Sequence, residues 1–134
     1  MIYLLDTSIV SELARPRPNP KTVKAFATHF DDVRLASLVV HELRYGIERL
    51  PEGTRKDTLR AAIDVLVSGV EVLPYNGAAA AWHAAERVRL EALGRPPSFA
   101  DGLIAATAAA HACTLVTANA RDFRAFAIDM DTWS

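Results

Sequence analysis

Apolar residues follow two alternating rhythms along this chain. Ile2-Tyr3-Leu4-Leu5 is a short unbroken apolar run, which reads as a buried strand stopping at Asp6-Thr7-Ser8. Ile9, Val10 and Leu13 then take helical spacing until Pro16, Pro18 and Pro20 end it. Asn19-Pro20 reads as an N-cap and first-turn proline opening a helix through Phe30. Val33 to Ala36 is a second strand, and Ser37 the cap of a helix with Val39, Leu43, Gly46, Ile47 and Leu50 on one stripe. A helix from Thr54 to Val67 turns Leu59, Ala62, Ile63 and Leu66 inward; Gly69 stops it, and Val70 to Leu73 forms a third strand. Asn76 caps a long helix through Leu93, with Gly94 as its C-terminal stop and Trp82 on an inner stripe with Ala78 and Ala85. After the loop Arg95-Pro96-Pro97, Ser98 opens a helix that is apolar nearly all round (Leu103, Ile104, Ala105, Ala106, Ala108, Ala109) and therefore belongs in the middle of the fold. Thr114 to Thr117 is the fourth strand and Ala127 to Met130 a short fifth.

Strands alternating with helices imply a parallel sheet covered on both faces, a three-layer α/β/α sandwich. With no repeat and no linker, residues 1–134 read as a single domain. Half the residues are apolar, so a core is available without disulfides or a structural metal. The single cysteine, Cys113, lies in an apolar run and reads as a small buried residue, which suits a reducing cytoplasm. The first apolar run has no basic region ahead of it, and the alanine-rich stretches are interrupted by His, Arg or Thr. Neither a leader nor a membrane span is expected.

A net charge of −1 does not announce a nucleic-acid binder, so any such contact must come from local patches. No Walker loop, G-x-G-x-x-G or G-x-S-x-G is present, which disfavours nucleotide-triphosphate, dinucleotide and serine-hydrolase chemistry. His29, His41, His83 and His111 show no metal-ligand spacing.

The acids are more informative. In open parallel sheets, ligands sit beyond the carboxyl ends of the strands. Asp6 ends strand one, and Asn119 and Asp122 follow strand four. Asp101 lies in the first turn of the most buried helix, and Glu42 one turn into the helix after strand two, with Gly46 leaving space beside it. Each has a plainer reading. Asp6, Asp101 and Asp122 could be caps, Asp101 completing Ser98-x-x-Asp101, and Glu42 a solvated helix residue. Capping explains one end of one helix at a time, however, and not four acids converging on one sheet edge. Two carboxylates about 4 Å apart repel by roughly 4 kcal/mol at an effective dielectric near 20, so such a cluster calls for a cation. An all-oxygen set selects Mg²⁺ or Mn²⁺ over zinc.

Four segments carry a family resemblance across essentially the whole chain: Leu4-Leu5-Asp6-Thr7-Ser8, His41-Glu42-Leu43-Arg44-Tyr45-Gly46-Ile47, Ala100-Asp101-Gly102-Leu103-Ile104-Ala105-Ala106-Thr107-Ala108 and Leu115-Val116-Thr117-Ala118-Asn119-Ala120-Arg121-Asp122-Phe123. In order and spacing they resemble the PIN-domain ribonucleases, and most closely the toxin half of VapBC-type toxin–antitoxin pairs (VapC/FitB-like). The resemblance implies a Mg²⁺-dependent endoribonuclease, usually a homodimer, leaving a 5′-phosphate and a free 3′-hydroxyl. Asp6 and Asp101 match the family's regular metal ligands and Glu42 its second acid. Relatives place the fourth acid at either the Asn119 or the Asp122 equivalent; Asn119 is neutral, so Asp122 takes the role. Ser8 stands where many relatives carry Asn, and Thr117 matches a small hydroxyl residue near the metal, so Ser8, Thr117 and Asn119 are expected around the ligands.

On this reading RNA is the substrate, and a cognate antitoxin is the partner. Arg15, Arg17, Arg44, Arg95 and Arg121 flank the expected cleft and could meet the RNA backbone, or could equally be solvated surface residues. An Asp6-based phosphotransfer domain is the first alternative. It needs a late lysine, but Lys21, Lys24 and Lys56 are all early, and Ser8 stands where a second acid would be required. A catalytically inactive binding module of the same fold is the second.

Overall fold

In the computed structural model, which describes residues 1–134, the chain alternates strand and helix as its apolar rhythm requires. The elements are β1 (Tyr3–Leu5), α1 (Thr7–Leu13), α2 (Pro20–His29), a 3₁₀ turn at Phe30–Asp32, β2 (Val33–Ala36), α3 (Ser37–Glu48), α4 (Thr54–Gly69), β3 (Glu71–Leu73), α5 (Gly77–Ala92), α6 (Phe99–Ala110), β4 (Thr114–Val116), α7 (Ala120–Phe123) and β5 (Met130–Asp131). The five strands form one sheet in the order β3-β2-β1-β4-β5, every pairing parallel. β1 is central, and its neighbours Leu4 and Leu5, which point to opposite faces, are both fully buried. Helices therefore cover both faces, giving the α/β/α sandwich the pattern implied. Leu35, Val39, Ile104, Leu115, Val116 and Phe123 complete the core around them. No helix is long and apolar enough to cross a membrane.

Local chemistry sets most boundaries where the sequence places them. Asn19 accepts from Lys21 N and Thr22 N ahead of Pro20, and Asn76 accepts from Ala79 N. Gly94 takes φ +71° and closes α5, with Gly94 N donating to Glu91 O and Arg95 N to Leu90 O at 2.8 Å.

Four expectations shift. Ser37 is the first helical residue and not the cap; Ala36 occupies that position with no side-chain bond. Gly69 ends α4 from inside the helix. Ala62 is exposed, while Ile63 is buried and Leu59 and Leu66 pack against the core half-buried. β5 begins at Met130, because Ala127 N is drawn to Glu86 Oε2 (3.0 Å) and Ile128 N to Phe126 O.

The inner face of α5 is also rotated by one residue from the expected stripe. Ala79, His83, Glu86 and Leu90 are buried, Ala78 and Ala85 are exposed, and Trp82 is half-buried beside Phe126. The cause is Gly102 on α6. A Cβ there would come within 2.1 Å of His83 Nε2, so the glycine makes the space that the imidazole fills.

Candidate metal centre

Four segments distant in sequence line one cavity of about 310 Å³ with Asp6, Glu42, Asp101 and Asp122, together with Ser8 and Asn119. All four acids singled out from the sequence are thus brought together at the carboxyl edge of the sheet.

Asp6 follows β1 directly. Its backbone N donates to Val116 O (2.9 Å), tying the end of β1 to the end of β4. The residue is only 6 % exposed, and three hydrogen bonds hold its carboxylate, which leaves Oδ1 with a free lone pair. Oδ1 accepts from Thr7 N at 2.7 Å, while Oδ2 accepts from Ser8 Oγ at 3.0 Å and from Thr117 Oγ1 at 2.9 Å. Those hydroxyls are themselves fixed, since Ala118 N donates to Ser8 Oγ and Asn119 N to Thr117 Oγ1. Asp6 does cap α1, as the plain reading had it, but the cap uses one oxygen and the two hydroxyls aim the other.

Glu42 stands on α3, across the cavity. Thr7 Oγ1 donates to its Oε1 at 2.6 Å, and Oε2 has no protein partner. Sequence reading missed Thr7 as a functional residue. Thirty-five positions separate the pair, and no local signal reveals such a bond.

Asp101 begins α6. Its backbone N donates to Ser98 Oγ (3.2 Å), so the half of the cap that uses the main chain is present. Its carboxylate accepts no hydrogen bond from the protein, and capping does not account for it. Asp122, in the first turn of α7, is exposed, and its carboxylate is likewise free of partners.

None of the four acids forms an ion pair, although eight other acids in the chain do. The consequence appears at Asp101. Burial, and then the charges of Asp122, Asp6 and Glu42 in that order, raise its pKa from 3.8 to about 6. Asp122, and not the neutral Asn119, is thus the strongest charge acting on Asp101; Asn119 lines the cavity beside it.

The donor set is all oxygen, and no histidine or cysteine lines the cavity. As they stand, no three His, Cys, Asp or Glu side chains come close enough together to hold a metal ion between them, so the four acids line the cavity without forming a coordination shell. An open set of carboxylates with no internal cation suits a hard ion that keeps several of its waters, as Mg²⁺ does, and does not suit zinc.

The five candidate arginines divide. Arg44 points to Asp64 on α4 and pairs with it, away from the cavity. Arg15 pairs with Glu12 at 3.2 Å and lines a separate groove between α1, α3 and α4. Arg17 is exposed in the loop after α1. Arg95 and Arg121 line a second cavity that adjoins Asp101 and Asp122, where Arg124, unremarked in the sequence, joins them.

Comparison with known proteins identifies the family of the chain. The family model described as "PIN domain" matches residues 3–129. The toxin FitB of Neisseria gonorrhoeae is 34% identical over 96% of this chain and 94% of its own length. The VapC ribonuclease Y4jK of Sinorhizobium fredii is 31% identical over 96% and 95%. The solved structure of FitAB bound to an IR36 DNA fragment superposes with a TM-score of 0.89 at 32% identity, covering 99% of this chain and 96% of that one.

Proposed function

The chain belongs to the PIN-domain family, and from that membership we propose that it is the endoribonuclease toxin of a toxin–antitoxin pair, using Mg²⁺, or Mn²⁺ in its place, held by Asp6, Asp101, Asp122 and Glu42. One observation carries the site assignment: four acids share a cavity with no cation among them, and burial together with the other three acids raises Asp101 to about 6. FitB is a toxin and Y4jK a ribonuclease, which supports the activity.

A bound divalent ion would neutralise charge at the scissile phosphate and supply a water of lowered pKa. The chain's own groups divide the remaining work. Asp6 presents an oxygen aimed by Ser8 and Thr117. Asp101 and Asp122, free of protein donors, offer unshared oxygens on the opposite wall. Glu42 is anchored through Oε1 by Thr7, so its unbonded Oε2 is the atom that takes the proton from the attacking water.

The partner is a cognate antitoxin. A groove of about 790 Å³ runs between α1, α3 and α4, lined by Val10, Leu43, Ile47, Leu50, Leu59 and Ile63, and reaches Thr7 and Glu42 at the rim of the acid cavity. Gly46 leaves it open, with nothing within 4 Å of a Cβ built there. An amphipathic helix fits such a groove, and a basic side chain beside it reaches the acids. The assembly is a homodimer and the compartment the cytoplasm.

The test is purified protein against a panel of structured and single-stranded RNAs with Mg²⁺, Mn²⁺ or EDTA. Cleavage with either metal, abolished by EDTA and by Asp101→Asn, is the expected result. Wild-type cleavage by Asp101→Asn would overturn the site. No cleavage of any RNA with either metal would overturn the activity and leave the inactive binding module. For the partner, co-expression with the product of the neighbouring gene should yield a complex that does not cleave. For the assembly, light scattering at micromolar concentration should exceed the 14.6 kDa monomer.

A further inference from the structure

The cavity next to the acids is built from arginines that the rest of the fold leaves unpaired. It measures about 420 Å³ and is lined by Arg95, Arg121 and Arg124, with Asp101 and Asp122 forming the wall it shares with the acid cavity. Elsewhere most arginines are tied to acid: Arg15, Arg34, Arg44, Arg60, Arg87 and Arg89 sit in ion pairs, while Arg17, Arg49 and Arg55 are unpaired but do not line this cavity. Arg95, Arg121 and Arg124 sit in none, although two carboxylates line the same cavity.

Their placement is also fixed. Arg95 follows the left-handed Gly94, its backbone N is held by Leu90 O, and Pro96-Pro97 stiffens the chain beyond it. Arg121 on α7 and Arg124, the helical C-cap that follows it, are three apart and so share a face, and α7 is anchored in the core by Phe123, which is 1% exposed. Three cations on rigid supports, adjoining a site for phosphodiester cleavage, match a run of phosphates spaced along a strand.

We propose that Arg95, Arg121 and Arg124 form the subsite for RNA phosphates flanking the scissile bond, so that the strand lies on the Asp101–Asp122 side of the acids. Planar guanidinium groups suit this ligand, binding phosphate through two hydrogen bonds and stacking on unpaired bases. The opposite side of the acids is the apolar groove of α1, α3 and α4, so substrate and protein partner occupy different flanks. The inference rests on the endoribonuclease reading.

The experiment compares wild type with Arg95→Gln, Arg121→Gln and Arg124→Gln, singly and together, on a fluorogenic single-stranded RNA in Mg²⁺ at KCl from 50 to 300 mM. Each single change should raise KM several-fold, and the triple variant by one to two orders of magnitude at low salt, with kcat affected far less. The slope of log KM against log salt should fall by roughly 0.7 for each phosphate that is no longer neutralised. The triple Arg→Lys variant, which keeps charge but loses the planar fork, should be intermediate. Lys21→Gln/Lys24→Gln, which removes unpaired cations from exposed sites on α2, should match wild type.

Wild-type KM and salt slope in the triple Gln variant would overturn the assignment. So would a triple variant that loses antitoxin binding while keeping RNA binding. If the triple variant fails to fold, the single variants decide by the same readouts. A wild-type protein that neither binds nor cleaves RNA would overturn the parent reading itself, an outcome distinguishable from failure of the subsite alone.

Discussion

Glu86 and Asp101 sit on α5 and α6, which pack against each other, and the fold treats their carboxylates in opposite ways. Glu86 is 6% exposed, and every donor it needs is supplied. Its Oε1 accepts from Arg89 Nε at 2.5 Å, and its Oε2 accepts from Arg89 Nη2 at 2.8 Å and from Ala127 N at 3.0 Å. The bond from Arg89 is the main cause that holds its pKa below the usual carboxylate range. Arg89 also donates to Ala125 O, so one acid and one arginine tie α5 to the segment that leads into β5. Asp101, by contrast, has no donor, no cation and three acids facing it. Burial and those charges push it up to about 6. A buried acid with its partners supplied is structural. One whose charge the protein leaves unanswered marks where a charge from outside belongs.

Breaking the unanswered side should have the largest effect. Asp101→Asn or Asp6→Asn should lower RNA cleavage by more than the roughly 10–100-fold typical of changes in groups that only orient a metal ligand. Fold and antitoxin binding should be retained, as read from circular dichroism and a pull-down. Ser8→Ala and Thr117→Ala, which remove the hydroxyls aiming Asp6 Oδ2, should fall within that roughly 10–100-fold range and be worse together than apart.

On the structural side the expectation reverses. Glu86→Gln should cost about 1–3 kcal/mol of stability in urea or thermal melts, because the Ala127 amide and the Arg89 fork lose their charged acceptor. Arg89 is half-exposed and returns to water, which limits the loss. Cleavage per folded molecule should not change. An activity loss without a stability loss would erase the contrast between the two acids.

The smallest effect is in pH. Asp101's folded pKa lies above its unfolded value, so in the metal-free protein the native state holds its proton more tightly between pH 3.8 and about 6. From this group, stability is therefore greatest below about pH 4, declines as pH rises toward 6, and stays at the lower level above that. Two pKa units correspond to at most roughly 3 kcal/mol. Water reaches the open cavity, so about 1 kcal/mol is the expected size. Asp101→Asn should be more stable than wild type at pH 7 by this amount and equal to it at about pH 4, measured without metal.

How much of this was legible in the sequence follows from distance along the chain. Asp6 and Asp101 were legible because each ends or opens an apolar run, and the chain direction of a parallel sheet sends those ends to one edge. The caps at Asn19 and Asn76 and the stop at Gly94 were legible because their partners lie within five residues. Thr7 with Glu42, Glu86 with Ala127, and His83 against Gly102 were not, since each pair is separated by between 19 and 41 positions and leaves no periodic trace. The inner face of α5 was misjudged for that reason. Alanine pattern alone favoured Ala78, Trp82 and Ala85, while a glycine on another helix decided for His83. The arginines were half legible: Arg95 and Arg121 stand where expected, but only the fold reveals that Arg44 is occupied by Asp64 and that Arg124 completes the set.

Direct measurement of metal binding tests the central claim most closely. Mn²⁺ should be titrated into wild type, Asp101→Asn and Glu86→Gln, with free ion followed by electron paramagnetic resonance and stability by thermal melt. A carboxylate metal centre predicts saturable Mn²⁺ binding that raises the melting temperature of wild type and Glu86→Gln, and neither effect in Asp101→Asn. Equal Mn²⁺ affinity in wild type and Asp101→Asn, or no saturable binding by wild type, would contradict it.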